Sequence, residues 1–283
     1  MIITGKTKIV GLFGYPVEHT LSPYMHNAAF EALGLDYCYL PLRVEPKDLK
    51  EAVTAIKALN LRGVNVTIPH KEAAIPYLDE LDREAALIGA VNTILYAGGR
   101  LIGYNTDGRG FVRSLKEKGG IDPKGKRIMV LGAGGAARAI AFSLALEGVE
   151  KIFITDIIDK KAIELSSAVS NKTSTETIYI KDLKEHIGEV DILINATPMG
   201  MKKEDPLPIS PELLSERLLV YDMVYNPPKT PLLSEAKARG AKVLGGIGML
   251  LYQGALSFKI WTGQEPPIDV MKKAIENRIA GNP

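Results

Sequence analysis

Lys71, Asp107, the pair Thr20 and Ser22, and the run Gly132-Ala-Gly-Gly-Ala-Ala137 are the residues in this chain from which chemistry can be built. Lys71 follows an apolar strand pattern and Pro69, at the expected start of a helix. A helix dipole opposes positive charge there, so a working lysine competes with an ordinary solvated one. Asp107 follows a polar strand end. It would cap the next helix or, paired with Lys71, hold an ammonium in place. Thr20 and Ser22 set two hydroxyls just before a helix, where backbone N–H groups and the dipole favour an anion such as a carboxylate. Plain helix capping by Ser22 ahead of Pro23 is the alternative.

Gly132-x-Gly134-x-x-Ala137 fits the dinucleotide fingerprint, with alanine in its third place. The first glycine allows the tight turn, the second lets backbone approach the phosphates, and the third position must be small for helix and strand to pack. An apolar strand precedes the turn and an Ala-rich helix follows, so free N–H groups at the helix start would meet the pyrophosphate. The bland alternative is a tight strand–helix turn with no ligand. Asp156 ends the next strand, about 24 residues on, where an acid accepts hydrogen bonds from the adenosine ribose of NAD. It would repel the extra phosphate of NADP. At about 4 Å and an effective dielectric near 20, one like-charge contact costs about 4 kcal/mol. Even a quarter of that is roughly fivefold discrimination, so NAD is the expected preference. Asn195-Ala-Thr-Pro-Met-Gly200 follows another strand. Loops at the carboxyl ends of strands line the ligand crevice of this fold, which makes Thr197, Met199 and Gly200 candidates for the nicotinamide half, against a plain turn.

The elements that must position these residues alternate strand and helix from end to end, which argues α/β with largely parallel strands. Strands are expected at 9–13, 37–44 and 63–68, a helix at 46–59, and a hairpin across 91–104 around Gly98-Gly99. A helix at 107–118 ends at Gly119-Gly120. Further strands are expected at 127–131, 151–155, 177–180, 191–195, 218–222 and 242–244, before a long apolar helix at 249–261 and a last helix after Pro266-Pro267. Two domains follow: a substrate domain from residues 1–120 and 247–283, and a Rossmann-type dinucleotide-binding domain from 121–246, the C-terminal helices returning to the first.

The 283 residues are 46% hydrophobic and 24% charged with net charge +2, an ordinary globular composition without a nucleic-acid footprint. Cys38 is the one cysteine and cannot form an internal disulfide; a packed core thiol in a reducing compartment is expected. Lys6 and Lys8 interrupt any secretory apolar run, and no stretch approaches bilayer-spanning length. A cytoplasmic protein, with no membrane or nucleic-acid partner, is expected. His19, His26, His70 and His186 lack metal-ligand spacing, so no metal is expected. His26 reads as helix packing.

Glu18-His-Thr-Leu-Ser-Pro23, Asn65-Val-Thr-Ile-Pro-His-Lys71, Ala90-Val-Asn-Thr93 and Gly103-Tyr-Asn-Thr-Asp107 occur in that order. The glycine-rich turn, Asn195–Gly200, Asp222-Met-Val-Tyr-Asn-Pro227 and Gly246-Ile-Gly-Met-Leu-Leu-Tyr-Gln253 follow. Together they resemble the shikimate dehydrogenase family over nearly the whole chain. The resemblance implies the two-domain architecture and reversible, nicotinamide-dependent reduction of 3-dehydroshikimate to shikimate, on the chorismate route to aromatic amino acids. It implies Lys71 as catalytic acid/base with Asp107 its partner. Thr20 and Ser22 would bind the substrate carboxylate, Thr67, Asn92, Asp107 and Gln253 the ring hydroxyls, and Tyr225 would line the pocket. Gly132, Ala133, Gly134, Gly135, Ala136, Thr155 and Asp156 would hold the dinucleotide, with Thr197, Met199, Met223 and Gly246 on its nicotinamide side. Many NADP-using members read Asn-Arg-Thr where this chain reads Thr155-Asp156-Ile157. The acid resembles NAD-using quinate/shikimate members, while Ser22 keeps the shikimate-type pattern. The cofactor is thus NAD or NADP. Alternatives are a broader quinate/shikimate dehydrogenase and a non-catalytic dinucleotide sensor. A monomer or homodimer is expected.

Overall fold

The computed structural model describes residues 2–173, 175–202 and 204–281. The chain forms two compact units, Met1–Thr106 with Leu251–Pro283, and Asp107–Leu250.

The first unit is built on β1 (Lys8–Gly14), α1 (Ser22–Ala32), β2 (Tyr37–Arg43), α2 (Leu49–Ala58), β3 (Gly63–Val66), β4 (Glu80–Leu81), α3 (Arg83–Ile88), β5 (Thr93–Ala97) and β6 (Arg100–Tyr104). Its sheet runs β2-β1-β3-β5-β6-β4. β1 pairs parallel with β2 and β3, while β3–β5 and β5–β6 are antiparallel. This sheet is therefore mixed: the Gly98-Gly99 turn, where a hairpin was expected, joins β5 and β6 too briefly for a crossover. One face buries Phe13, Val53, Ile56, Val64 and Ile94.

The second unit carries α4 (Asp107–Glu117), β7 (Arg127–Leu131), α5 (Gly135–Leu146), β8 (Lys151–Thr155), α6 (Asp159–Lys172), β9 (Glu176–Tyr179), β10 (Ile192–Asn195), β11 (Leu219–Asp222), α7 (Pro231–Ala238) and β12 (Lys242–Gly245). Its sheet is parallel throughout, in the order β12-β11-β10-β7-β8-β9. Counted from β7 this is the doubly wound order 3-2-1-4-5-6, whose switch point lies between β7 and β10. β7, β10 and β11 are near-continuous buried runs, as strands covered on both faces must be. Thr230 caps α7 by accepting from the Leu233 N–H at 3.2 Å, with Pro231 in the first turn.

α8 (Ile247–Thr262) leads from the second unit into the first, and α9 (Ile268–Ile279) packs on α1. Trp261 Nε1 donates to the Ile94 carbonyl at 3.0 Å, fixing the end of α8 to the first sheet. The compact units divide at Thr106/Asp107, and α4, which opens the second, packs against α5. Among the described residues no helix is long and apolar enough to cross a membrane.

Candidate active site and dinucleotide cradle

Lys71 does not start a helix. Residues 68–69 and 71–74 form turns, followed by a short 3-10 segment, Ile75–Tyr77. The Ala74 N–H reaches the His70 carbonyl at 2.9 Å, one helical turn, but Pro76 has no N–H to extend it and disfavours helical backbone at Ile75. The dipole argument against a charged Lys71 therefore lapses. The turn is instead fastened from several sides. The His70 N–H donates to the Thr67 carbonyl at 2.9 Å, and the Val91 N–H to the Lys71 carbonyl at 2.8 Å. The buried His70 ring sets Nε2 2.8 Å from the Val44 carbonyl. Lys71 itself is half-buried.

Around it lie the carboxyl ends of β1 and β3. The Thr67 N–H donates to the Phe13 carbonyl at 2.9 Å and the Tyr15 N–H to the Ile68 carbonyl at 3.0 Å. The chain from β1 then reaches Thr20 and Ser22. Ser22 is the first residue of α1, not its cap, and the Leu21 cap position makes no side-chain bond. Thr20 Oγ1 instead accepts from the Ser22 N–H at 3.2 Å. A half-buried hydroxyl thus stands at a helix start, where an anion is favoured.

Asn92, buried before β5, binds Thr106 both ways: Nδ2 donates to Thr106 Oγ1 at 2.8 Å, and Oδ1 accepts from the Thr106 N–H at 2.8 Å. Nδ2 also lies 3.3 Å from Gln253 Oε1 on α8. Behind this pair sits a polar cluster that sequence reasoning did not assign. Asn65 Nδ2 contacts the Asn92 carbonyl (3.0 Å), Thr93 Oγ1 (3.1 Å) and Ser257 Oγ (3.0 Å), while Tyr39 donates to Asn65 Oδ1 at 2.9 Å. Its one available signal was Asn65 itself, an amide inside the apolar run Gly63–Val66, since a buried amide must find partners. The first unit so gathers Thr67, Lys71, Asn92 and Gln253.

In the second unit Gly132 has φ +101°, backbone that a side chain rarely adopts. Its N–H donates to the Thr155 carbonyl at 2.7 Å. Gly134 is the cap residue of α5 and offers no side-chain cap; a Cβ built on it would meet open space. The first N–H groups of α5 are thereby left to a ligand, and the cradle fits a dinucleotide pyrophosphate. Asp156 Oδ2 accepts from the Ala133 N–H at 2.7 Å and Oδ1 from the Ile158 N–H at 2.9 Å. This acid is no idle solvated strand end: it is fixed against the glycine-rich turn.

Thr197 approaches Gly132, since a Cβ there would lie 3.2 Å from Thr197 Cγ2. The Met223 N–H donates to the Asn195 carbonyl at 3.0 Å. Gly246 sits so close to the Met223 carbonyl that any side chain would collide with it. Gly132–Ala136, Thr155, Asp156, Thr197, Met199, Met223 and Gly246 all fall at the carboxyl ends of β7, β8, β10, β11 and β12. Tyr225 is half-buried just beyond β11, and Asp107 is buried as the first residue of α4. Among the described residues no cluster of three or more His, Cys, Asp or Glu forms a metal cage.

Comparison with known proteins adds an independent observation. Residues 12–94 match the shikimate dehydrogenase substrate binding domain, residues 114–202 the shikimate/quinate 5-dehydrogenase family, and residues 246–276 the shikimate 5'-dehydrogenase C-terminal domain. A shikimate dehydrogenase (NADP(+)) of Desulforamulus reducens is 49% identical over 284 residues, covering 98% of each chain. A shikimate dehydrogenase crystallised with NADP+ superposes with TM-score 0.91 at 47% identity, covering 98% of each chain. The shikimate 5-dehydrogenase of Listeria monocytogenes, in complex with shikimate and NAD, gives TM-score 0.87 at 43% identity, covering 96% of this chain and 97% of that one.

Proposed function

This chain belongs to the shikimate dehydrogenase family, and from that premise we propose that it interconverts 3-dehydroshikimate and shikimate with NAD or NADP. The observation that carries the reading is the fastened turn bearing Lys71, set among the hydroxyl and amide groups of Thr67, Asn92 and Gln253. Reducing a ketone to a secondary alcohol takes a hydride at carbon and a proton at oxygen. When bound, the nicotinamide supplies or takes the hydride. Lys71 gives its proton to the carbonyl oxygen in reduction and takes it from the hydroxyl in oxidation. Asp107 is assigned as the partner carboxylate in that role. Thr20, Ser22 and the start of α1 receive the substrate carboxylate. Thr67, Asn92 and Gln253 hold the ring hydroxyls, and Tyr225 bounds the pocket. A fixed side chain in each place lowers the barrier by orientation.

The cradle Gly132–Ala136 binds the pyrophosphate, Thr155 and Asp156 the adenosine end, and Thr197, Met199, Met223 and Gly246 the nicotinamide side. NAD is the preferred form, for a carboxylate in the place of Asp156 repels a 2′-phosphate. The lone, buried Cys38 suits a reducing, cytoplasmic setting.

Purified protein given shikimate or quinate with NAD or NADP, followed by absorbance of the reduced nicotinamide, tests the activity. Turnover of shikimate is expected. Dinucleotide binding without turnover would favour a sensor. Lys71→Ala is expected to lower kcat by about two to four orders of magnitude with a smaller change in KM. A near-normal kcat would remove Lys71 from the proton transfer.

A further inference from the structure

We propose that Asp222 is a positioning residue for the nicotinamide side: its buried side chain orients the Asn195 amide, which sets the Thr197–Gly200 loop, and it pins the start of the Met223–Tyr225 segment. The inference rests on the reading of those two segments given above. Asp222 ends β11 and has no exposed surface. Its Oδ1 accepts from Asn195 Nδ2 at 2.9 Å and from the Val224 N–H at 3.1 Å. Its Oδ2 faces Thr230 Oγ1 at 2.5 Å. That hydroxyl already accepts from the Leu233 N–H at the start of α7, so its single proton points at the carboxylate. Every neighbour is therefore a donor, which is what an ionised carboxylate requires. Burial raises the group above the ordinary carboxylate range, and the bonds from Thr230, Val224 and Asn195 oppose that rise.

An acceptor-only group leaves Asn195 one orientation. Nδ2 must face Asp222, and its second N–H reaches the Met199 carbonyl at 3.1 Å. Oδ1 is then left for Thr197, accepting from its N–H at 3.1 Å and its hydroxyl at 2.6 Å. With its proton so committed, Thr197 Oγ1 accepts from the Met199 N–H at 3.2 Å. Turning the amide over would set two oxygens face to face at Asp222 and leave the two Thr197 donors against an NH2 group. The direction of one buried carboxylate thus passes through Asn195 to Thr197 and Met199 of the loop beside Gly132. The catalytic scheme above gives Asp222 no proton to carry, so its part is to hold these groups in place.

Asp222→Asn keeps the shape but lets either amide face either way. Binding of reduced dinucleotide, followed by its fluorescence, is expected to weaken about tenfold. The dinucleotide KM should rise with it, while the shikimate KM stays within about twofold. Unchanged dinucleotide affinity in a folded Asp222→Asn protein overturns the proposal. If Asp222→Asn does not fold, Thr230→Val removes one of the donors and carries the same test, with weaker dinucleotide binding at an unchanged shikimate KM supporting the proposal and unchanged binding overturning it. Failure of the unmodified protein to bind reduced dinucleotide would instead sink the reading of the cradle itself.

Discussion

On the proposed function, a single carboxylate after β8, Asp156, sets which adenosine ribose the cradle accepts. Asp156 is held by the Ala133 and Ile158 N–H groups, so it cannot swing aside to admit a phosphate without leaving two donors unpaired. Asp156→Ser removes the charge and keeps a hydroxyl. It is expected to raise kcat/KM for NADP relative to NAD by about fivefold or more, from roughly 1 kcal/mol of relieved repulsion. A wild-type preference for NADP, measured as the ratio of kcat/KM values, would defeat the argument. At this scale the sequence was readable where a residue's meaning is local. Asp156 follows its strand at a fixed distance from the glycines, and Lys71 follows Pro69. Asn65 and Asp222 were opaque because their partners are remote: Ser257 lies 192 positions from Asn65, and Asn195 lies 27 positions from Asp222.

Elements show the same division between local and distant causes. The strands β7 and β8 fall where alternation and turn residues set them, since an apolar run bounded by glycine or charge has little freedom. The helix expected at Lys71 was lost to Pro76, five residues further on. The closeness of α4 and α5 had no sequence signal either. At Gly108 on α4 a Cβ would lie 2.7 Å from the Ala139 carbonyl on α5, and nearer still to the Ser143 hydroxyl. A side chain could turn away from a hydroxyl, but the carbonyl belongs to helix backbone. Gly108→Ala gains intrinsic helix propensity of about 1 kcal/mol, yet it must force two packed helices apart, at about 1–3 kcal/mol. A net loss of stability is expected, read as a lower urea midpoint at unchanged slope. A midpoint equal to or above wild type would show that the helices separate without cost.

For the molecule as a whole, two buried titratable groups set opposite pH trends. Asp222 is raised by burial. Above its unfolded value of 3.8 the native state therefore holds more protons than the unfolded chain, and its contribution falls as pH rises through that window. His26 acts the other way. It is wholly buried, its ring stacks on Tyr39 at 4.5 Å between centroids, and neither ring nitrogen has a partner among the described residues. Burial lowers it from 6.5 to about 3. Between those values the unfolded chain binds a proton that the native imidazole refuses, so stability is whole above about pH 6.5 and drains away as pH falls toward 3. Each pH unit in the window is about 1.4 kcal/mol, so His26 alone removes roughly 2 kcal/mol between pH 6.5 and 5. The reading of His26 as helix packing was available from its place in α1; that it would sit unpaired in an aromatic stack depends on Tyr39, Phe258 and Trp261 from other elements. His26→Leu keeps an apolar side chain of similar bulk and has no proton to bind. The difference in unfolding free energy between pH 7 and pH 5, measured by urea titration, is expected to shrink by roughly 2 kcal/mol in this variant. Comparing the two proteins cancels Asp222 and every other common group. An identical pH difference in both would mean that the native imidazole can take up its proton, and that His26 is not sealed in the core.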